Sequence, residues 1–475
     1  MGPTLATTSS SSVRRDFRLH EIHPRRRSFL WLDVLAAVLA ATGITVVTLI
    51  NLNYRGTDYA ASDFKTLYAS IWCYTQGWNA YSISNLQKVF VANGVVEPPS
   101  WYGHAPVYPW TTLALGAPLC KLGMVAACYT VTILDAILLA AGMFALARYA
   151  ARQFNLGPIW RLAIPGLCAG APLVAFGLDM DNVSLPASAL CFLAFTQRDA
   201  GARHGSRVLR WAPVVALAGA FLLKPHLAIW VGLAMAALPE RNGRAVVLRS
   251  LVLVAGFTAL TAGVMAATGT LGMQTHAYLA MLRSETGPGA SMSAASHELL
   301  PWVAQITSLD SIVGFWTGSA ALRVGVTFIV LLGLAWPLWR QTRRVNTERG
   351  ALLATGAWCV LGLLATYHRA HDAALLLLLV PWVVDRVRRA PLTWHAWAVA
   401  LLYCVMSASP AFAVVQRWVA GVPVHSLTAF LLMRQVGLAD LLLLLVVQLA
   451  LVRENAGVRE HRVPMVDAEE LRVAA

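Results

Sequence analysis

The stretch Thr57 to Tyr81, TDYAASDFKTLYASIWCYTQGWNAY, directly follows the first apolar run of the chain, and the reading of everything after it depends on where it stands relative to a membrane. It begins as a loop with two carboxylates, Asp58 and Asp63, and turns into a short amphipathic helix. Phe64, Leu67, Tyr68, Ile71 and Trp72 fall at i, i+3, i+4, i+7 and i+8, one apolar stripe at helical spacing. Trp72, Tyr74, Trp78 and Tyr81 are aromatics of the kind that settle at the headgroup level. The spacing therefore predicts a helix that starts at Asp63 and lies on the membrane surface. A carboxylate held there meets both a lipid-borne substrate arriving within the bilayer and a polar one arriving from water, which suits a general base.

Around this stretch the composition excludes an ordinary soluble protein. Hydrophobic residues make up 58% of the chain, charged residues 13%, and the mean hydropathy is +0.61, against an apolar share of about 45–50% in soluble domains. Runs such as Phe29 to Ile50, Val125 to Ala147, Val246 to Ala267 and Leu375 to Val384 with its flanks approach the roughly 20 residues of a spanning helix. Roughly twelve such spans are expected on this criterion, which makes the chain an all-α polytopic membrane protein.

The net charge of +14 raises the question of nucleic acid, but the arginines gather in short loops between spans and not on one face. The N-terminal tail with Arg25 to Arg27, the loops around Arg148, Arg198, Arg241, Arg340 and Arg386, and the C-terminal tail hold most of the 37 basic residues. Such loops mark the cytoplasmic side, so both termini are expected inside a plasma membrane and no nucleic-acid partner is expected. The first run has no small-residue cleavage site and sits behind a long basic tail, so it reads as a retained span. The chain then divides into a basic disordered tail (1–28), a transmembrane domain (29–452) and a second tail (453–475). Of seven cysteines only Cys73 reads as outward-facing, and no disulfide framework or zinc spacing is present.

Two outer connections are long, 51–105 and 269–311, while the inner ones are short and basic. Loops of that length tend to be working parts, which puts the functional face outside. The segment 104–122 carries Pro106, Pro109 and Pro118. It is expected to lie at the interface or re-enter, because a full crossing would put every later arginine loop on the wrong side.

This topology brings a set of polar residues to the outer mouth: Asp58, Asp63, Lys65 and Tyr68, then His104 and Tyr108, then Asp179, Asp181 and Asn182, then Lys224 and His226. His276, Arg283, His297 and Glu298 follow in the second loop, and Tyr367, His368, Arg369, His371 and Asp372 close the set. Ionisable groups near a span are expensive, so convergence on one side points to function. Each also has a plainer role. Asp63 can simply favour a helix N-terminus, Asp179 and Asp181 resemble a metal-binding acid pair but also suit a turn, and Lys224 can snorkel at a helix break. His368, His371 and Asp372 lack a third firm metal ligand. Asp135 and Asp440 lie inside spans, where they pair with neighbours.

The order DFKTLY, QGWNAYS, YGHAPVYPWTTLALGAPLCKL resembles the opening of the bacterial alpha-mannosyltransferase-like integral membrane proteins, glycosyltransferase family 87 of the C-type superfamily. The resemblance is carried by Asp63-Phe64, Tyr68, Gly77 to Tyr81, Tyr108-Pro109 and Ala117 to Leu119, and further on by Leu223 to Pro225 and Tyr367 to Asp372. Two places depart from the pattern. Asp179-Met180-Asp181-Asn182 stands where the family has Gly-Gln-x-Asn, and Pro109-Trp110 where it has Pro-Pro.

The resemblance implies a C-type bundle of about twelve helices with an interfacial helix in the first outer loop. It also implies transfer of a hexosyl group, mannose being the family's best-known sugar, from a polyprenyl-phosphate donor to a lipid-linked glycan or polysaccharide. In such a reaction Asp63, or Asp58 in its place, serves as general base. Lys224, His226, His368, Arg369 and His371 meet the donor phosphate, and Tyr68, His104, Tyr108, Asp179, Asp181, Asn182 and Asp372 line the substrate site. No cofactor or metal is then needed. A lipid or glycan transporter is the main rival, and a ligase or polymerase using lipid diphosphates is a third reading. Against the transporter stand the charges on one face and the absence of an internal repeat.

Overall fold

The apolar stripe of the first loop does form a helix, α1 (Ser62–Thr75), but protein and not bilayer covers it. Phe64, Leu67, Tyr68 and Ile71 are buried against α2 (Ile83–Ala92), α3 (Trp110–Gly116) and the 3-10 turn Ala117–Lys121. Cys73, expected to face outward, is buried in the same cluster. The computed structural model describes residues 34, 38, 61–95, 106–199, 206–286, 306–366, 369–407, 422–423 and 426–460. Among the described residues there is no strand.

The remaining helices are α4 (Met124–Gln153), α5 (Pro158–Ala169), α6 (Pro172–Asp179), α7 (Ser184–Gln197), α8 (Arg207–Leu223), α9 (Pro225–Ala237), α10 (Arg241–Ala267), α11 (Leu271–Thr286), α12 (Leu309–Gly314), α13 (Ala320–Thr342), α14 (Glu348–Ala365), α15 (Val380–Arg389), α16 (Trp394–Ser407) and α17 (Leu427–Glu460). Five of them, α4, α10, α13, α14 and α17, are long and apolar enough to cross a membrane. The pair α5 and α6, bent by 57° at its break, makes a sixth if it is one span. Helices α7, α8, α9 and α16 are apolar but shorter. This is the make-up of a membrane-embedded helical protein.

One expected element kept its short form and two came out differently. The segment 104–122 is described from Pro106, and its α3 and following 3-10 turn together rise only about 20 Å, too short for a hydrocarbon core of about 30 Å. The second long loop is not all loop, since α11 occupies its first part. The run after Arg369 is a ten-residue 3-10 helix, Ala370–Leu379, before it relaxes into α15 at Val380. Such long 3-10 runs are uncommon and often mark a functional or strained place.

The core is held by close helix approach. A Cβ placed on Gly142 of α4 would lie 2.9 Å from the Cα and carbonyl oxygen of Ala189 on α7, so only glycine lets these two helices pack at that distance. Helix α14 is buried along almost its whole length, between α9, α13, the 3-10 helix and α17.

Several helices run between two polar ends. At one end Arg198, after α7, donates from Nε to Glu240 at 2.8 Å and from an η nitrogen to Glu348 at 2.5 Å, and the Tyr149 hydroxyl of α4 joins Glu348 at 2.6 Å. Nearby, Arg349 and Arg389 each hold one oxygen of Asp385 at 2.8 Å, and Arg386 pairs with Glu454. At the other end stand α1, the turn after α6, and the starts of α7, α9 and the 3-10 helix.

Candidate functional site

That second end brings together residues far apart in sequence. Ala61, in the left-handed region at φ 57°, donates its N–H to the Asp179 carbonyl at 2.8 Å, and Asp63 donates its N–H to the Met180 carbonyl at 3.2 Å. The start of α1 is thereby fastened to the turn 179–182. The Ser62 hydroxyl adds a contact to the Met180 sulfur at 3.0 Å. Asp181, also left-handed at φ 47°, reverses the chain between α6 and α7.

From there a continuous polar network crosses the site. Asn182 donates from Nδ2 to Asp63 Oδ2 at 2.5 Å. Its Oδ1 accepts from the Ser184 backbone N–H at 2.9 Å and from the Ser184 hydroxyl. Lys224 Nζ lies 2.5 Å from Asp372 Oδ1, 2.5 Å from Ser184 Oγ and 3.4 Å from Asn182 Oδ1. Ser184 Oγ is also 2.5 Å from the same Asp372 oxygen. The other Asp372 oxygen accepts from the Arg369 backbone N–H at 3.4 Å. Asp63 is thus linked through Asn182 and Ser184 to a buried lysine–carboxylate pair.

Lys224 sits among protein oxygens. An ammonium has three N–H donors, and protein oxygens face all of them here. Lys224 therefore holds Asn182, Ser184 and Asp372 in place. Tyr68 is buried, and its hydroxyl donates to the Leu122 carbonyl at 2.7 Å, which ties α1 to the 3-10 turn. Burial raises the Tyr68 phenol above its ordinary value.

The rest of the expected set falls as follows. His371 is buried, its Nε2 is 3.7 Å from Asp372 Oδ1, its Nδ1 has no hydrogen-bond partner, and its ring lies against Phe176 with centroids 6.2 Å apart. Tyr108 is buried, and burial first, then the Asp63 and Asp372 carboxylates, holds its phenol well above the ordinary range. The Tyr108 carbonyl accepts from the Tyr81 hydroxyl at 2.9 Å. Asp181 accepts from the Thr132 hydroxyl at 2.7 and 2.9 Å. Asp179 contributes its backbone carbonyl, and His226 is half-buried on the first turn of α9. Asp58, His104, Tyr367, His368, His297 and Glu298 lie outside the described residues.

Two members were not expected. Ser184 could have been found from Asn182-Val183-Ser184, because an Asn two residues ahead of a helix start commonly bonds the backbone there. Thr132 carried no signal until α4 was seen to pass the turn at Asp181. For metals, the carboxylates that lie within 4.8 Å of one another are Asp199, Glu240 and Glu348, at the opposite end. Arg198 bonds two of them, so their charge is met by a guanidinium. No family model, curated protein or solved structure matches the chain.

Proposed function

We propose that the chain is a membrane glycosyltransferase that moves a hexosyl group from a polyprenyl-phosphate sugar to a lipid-linked glycan or polysaccharide, with Asp63 as general base. The observation that carries this reading is the fixed placement of Asp63. Its Oδ2 is held by Asn182, which is itself held by Ser184 and Lys224, so Oδ1 is the oxygen through which the base acts. The acceptor hydroxyl attacks the anomeric carbon, its proton passes to Asp63, and the bond from that carbon to the phosphate oxygen breaks with its electron pair going to the phosphate. A positioned base of this kind contributes about 10²–10⁴-fold. Arg369, which acts on Tyr108 and His371 beside it, is the cation for the leaving phosphate. The resemblance of the first loop to glycosyltransferase family 87 supports the same chemistry.

In this reading the four shorter apolar helices, the bent pair, the run 370–389 and the first apolar run join the five long helices in a bundle of about twelve spans. The arginine-rich end faces the cytoplasm, as the charge bias favours, and Asp63 faces outward. No nucleotide sugar is supplied there, so the activated sugar arrives on a lipid. Radiolabelled polyprenyl-phosphate sugars offered with membrane lipid extracts test the reading. Wild type should transfer label and Asp63→Asn should not, with donor binding kept. Transfer unchanged in Asp63→Asn removes the base assignment, and movement of lipid or glycan across proteoliposomes without transfer would favour a transporter.

A further inference from the structure

On α4, Cys128, Thr132 and Asp135 stand at i, i+4 and i+7, a polar line on one side of the helix. Asp135 is 5% exposed, and its Oδ2 has no hydrogen-bond partner. A carboxyl oxygen so buried without a partner costs about 1–3 kcal/mol, the scale for an unsatisfied buried polar group. Its neighbours along α4 show which part of the molecule it belongs to. Thr132, one turn before it on the same side of α4, bonds the Asp181 carboxylate, and the residue after Asp181, Asn182, holds Asp63. Asp135 therefore borders the same space as the candidate base.

Two kinds of ligand donate to or neutralise such oxygens, a cation or a polyhydroxylated ring. A cation draws its oxygens to within about 2.0–2.6 Å of one point, which brings them close to each other. Asp63, Asp135 and Asp181 do not form such a group; the described carboxylates that do are Asp199, Glu240 and Glu348 at the far end. A sugar ring spreads its O–H donors around its edge and satisfies carboxylates that share no centre. We propose that Asp135, Asp181 and Thr132 form a hydroxyl-binding subsite for a hexopyranose ring, set beside Asp63. Ring hydroxyls donate to Asp135 Oδ2 and to Asp181, and α4 forms the wall against which the sugar lies. The choice of a sugar as occupant rests on the transferase reading.

The test uses the full chain in lipid nanodiscs, with methyl α-mannopyranoside and methyl α-glucopyranoside as probes in saturation-transfer NMR titrations. Wild type and Thr132→Ser should bind at least one probe. Asp135→Asn and Thr132→Val should weaken that binding about tenfold, the effect of losing a hydrogen bond. In the transfer assay Asp135→Asn should raise KM for a sugar substrate by a similar factor and change kcat far less. Thermal midpoints and elution volumes matching wild type show that the variants fold, and the Thr132→Ser rescue separates a hydroxyl contact from packing. Binding by Asp135→Asn equal to wild type, or binding of neither pyranoside by wild type, overturns the subsite. Pyranoside binding lost in Asp135→Asn, in a protein that transfers sugar from no polyprenyl donor, keeps the subsite and removes the transferase.

Discussion

The two polar ends of the bundle treat buried charge in opposite ways. At the Arg198 end, Arg198 meets Glu240 and Glu348, Arg349 and Arg389 meet Asp385, and Arg386 meets Glu454. At the Asp63 end Lys224 is taken by Asp372, Asp63 and Asp181 are met by the neutral groups of Asn182 and Thr132, and polar atoms of Asp135 and His371 are left without a partner. Ion pairs like those at the Arg198 end stitch helices together. An open set is what a ligand site requires, because the ligand supplies the missing partners.

The comparison can be broken in order of expected effect. Asp63→Asn should lower sugar transfer by about 10²–10⁴-fold while the thermal midpoint stays near wild type, since an amide oxygen still accepts from Asn182. At the other end Arg198→Ala should have the reverse signature. It leaves Glu240 and Glu348 without their guanidinium, which costs about 3–5 kcal/mol in denaturant titrations of the detergent-solubilised protein, with pyranoside binding by the remaining folded fraction unchanged. Loss of binding in step with stability would show that the two ends do not divide labour.

Lys224→Met tests the lysine's place between these extremes. It strands Asp372, and a loss of about 3 kcal/mol is expected, partly recovered in Lys224→Met with Asp372→Asn because the double variant removes the unpaired charge. No recovery would mean that the pair does not act as a unit. The smallest effect is expected for Tyr81→Phe, which removes the hydroxyl that bonds the Tyr108 carbonyl at 2.9 Å. About 1 kcal/mol of stability should go with it, and transfer should fall only as far as Tyr108 shifts.

Part of this molecule was written locally and part was not. The apolar runs, the arginine loops and the stripe from Phe64 to Trp72 are periodic features of neighbouring residues, so the all-helical bundle and α1 followed from the sequence. Asp63, Asn182, Lys224 and Asp372 were likewise legible as polar residues at the ends of apolar runs, where they are expensive unless used. The facing of the α1 stripe was not, because burial by protein and burial by lipid demand the same apolar pattern. Nor could spacing reveal that Asn182 holds Asp63, 119 residues away, or that Lys224 is occupied by Asp372, 148 residues away. Asp135 looked like a carboxylate that would pair with a neighbour, yet one of its oxygens has no partner. The chain's periodicity determines which residues lie on which helix face. Which faces meet, and so which donors are already taken and which oxygens wait for one, is decided only when the helices pack.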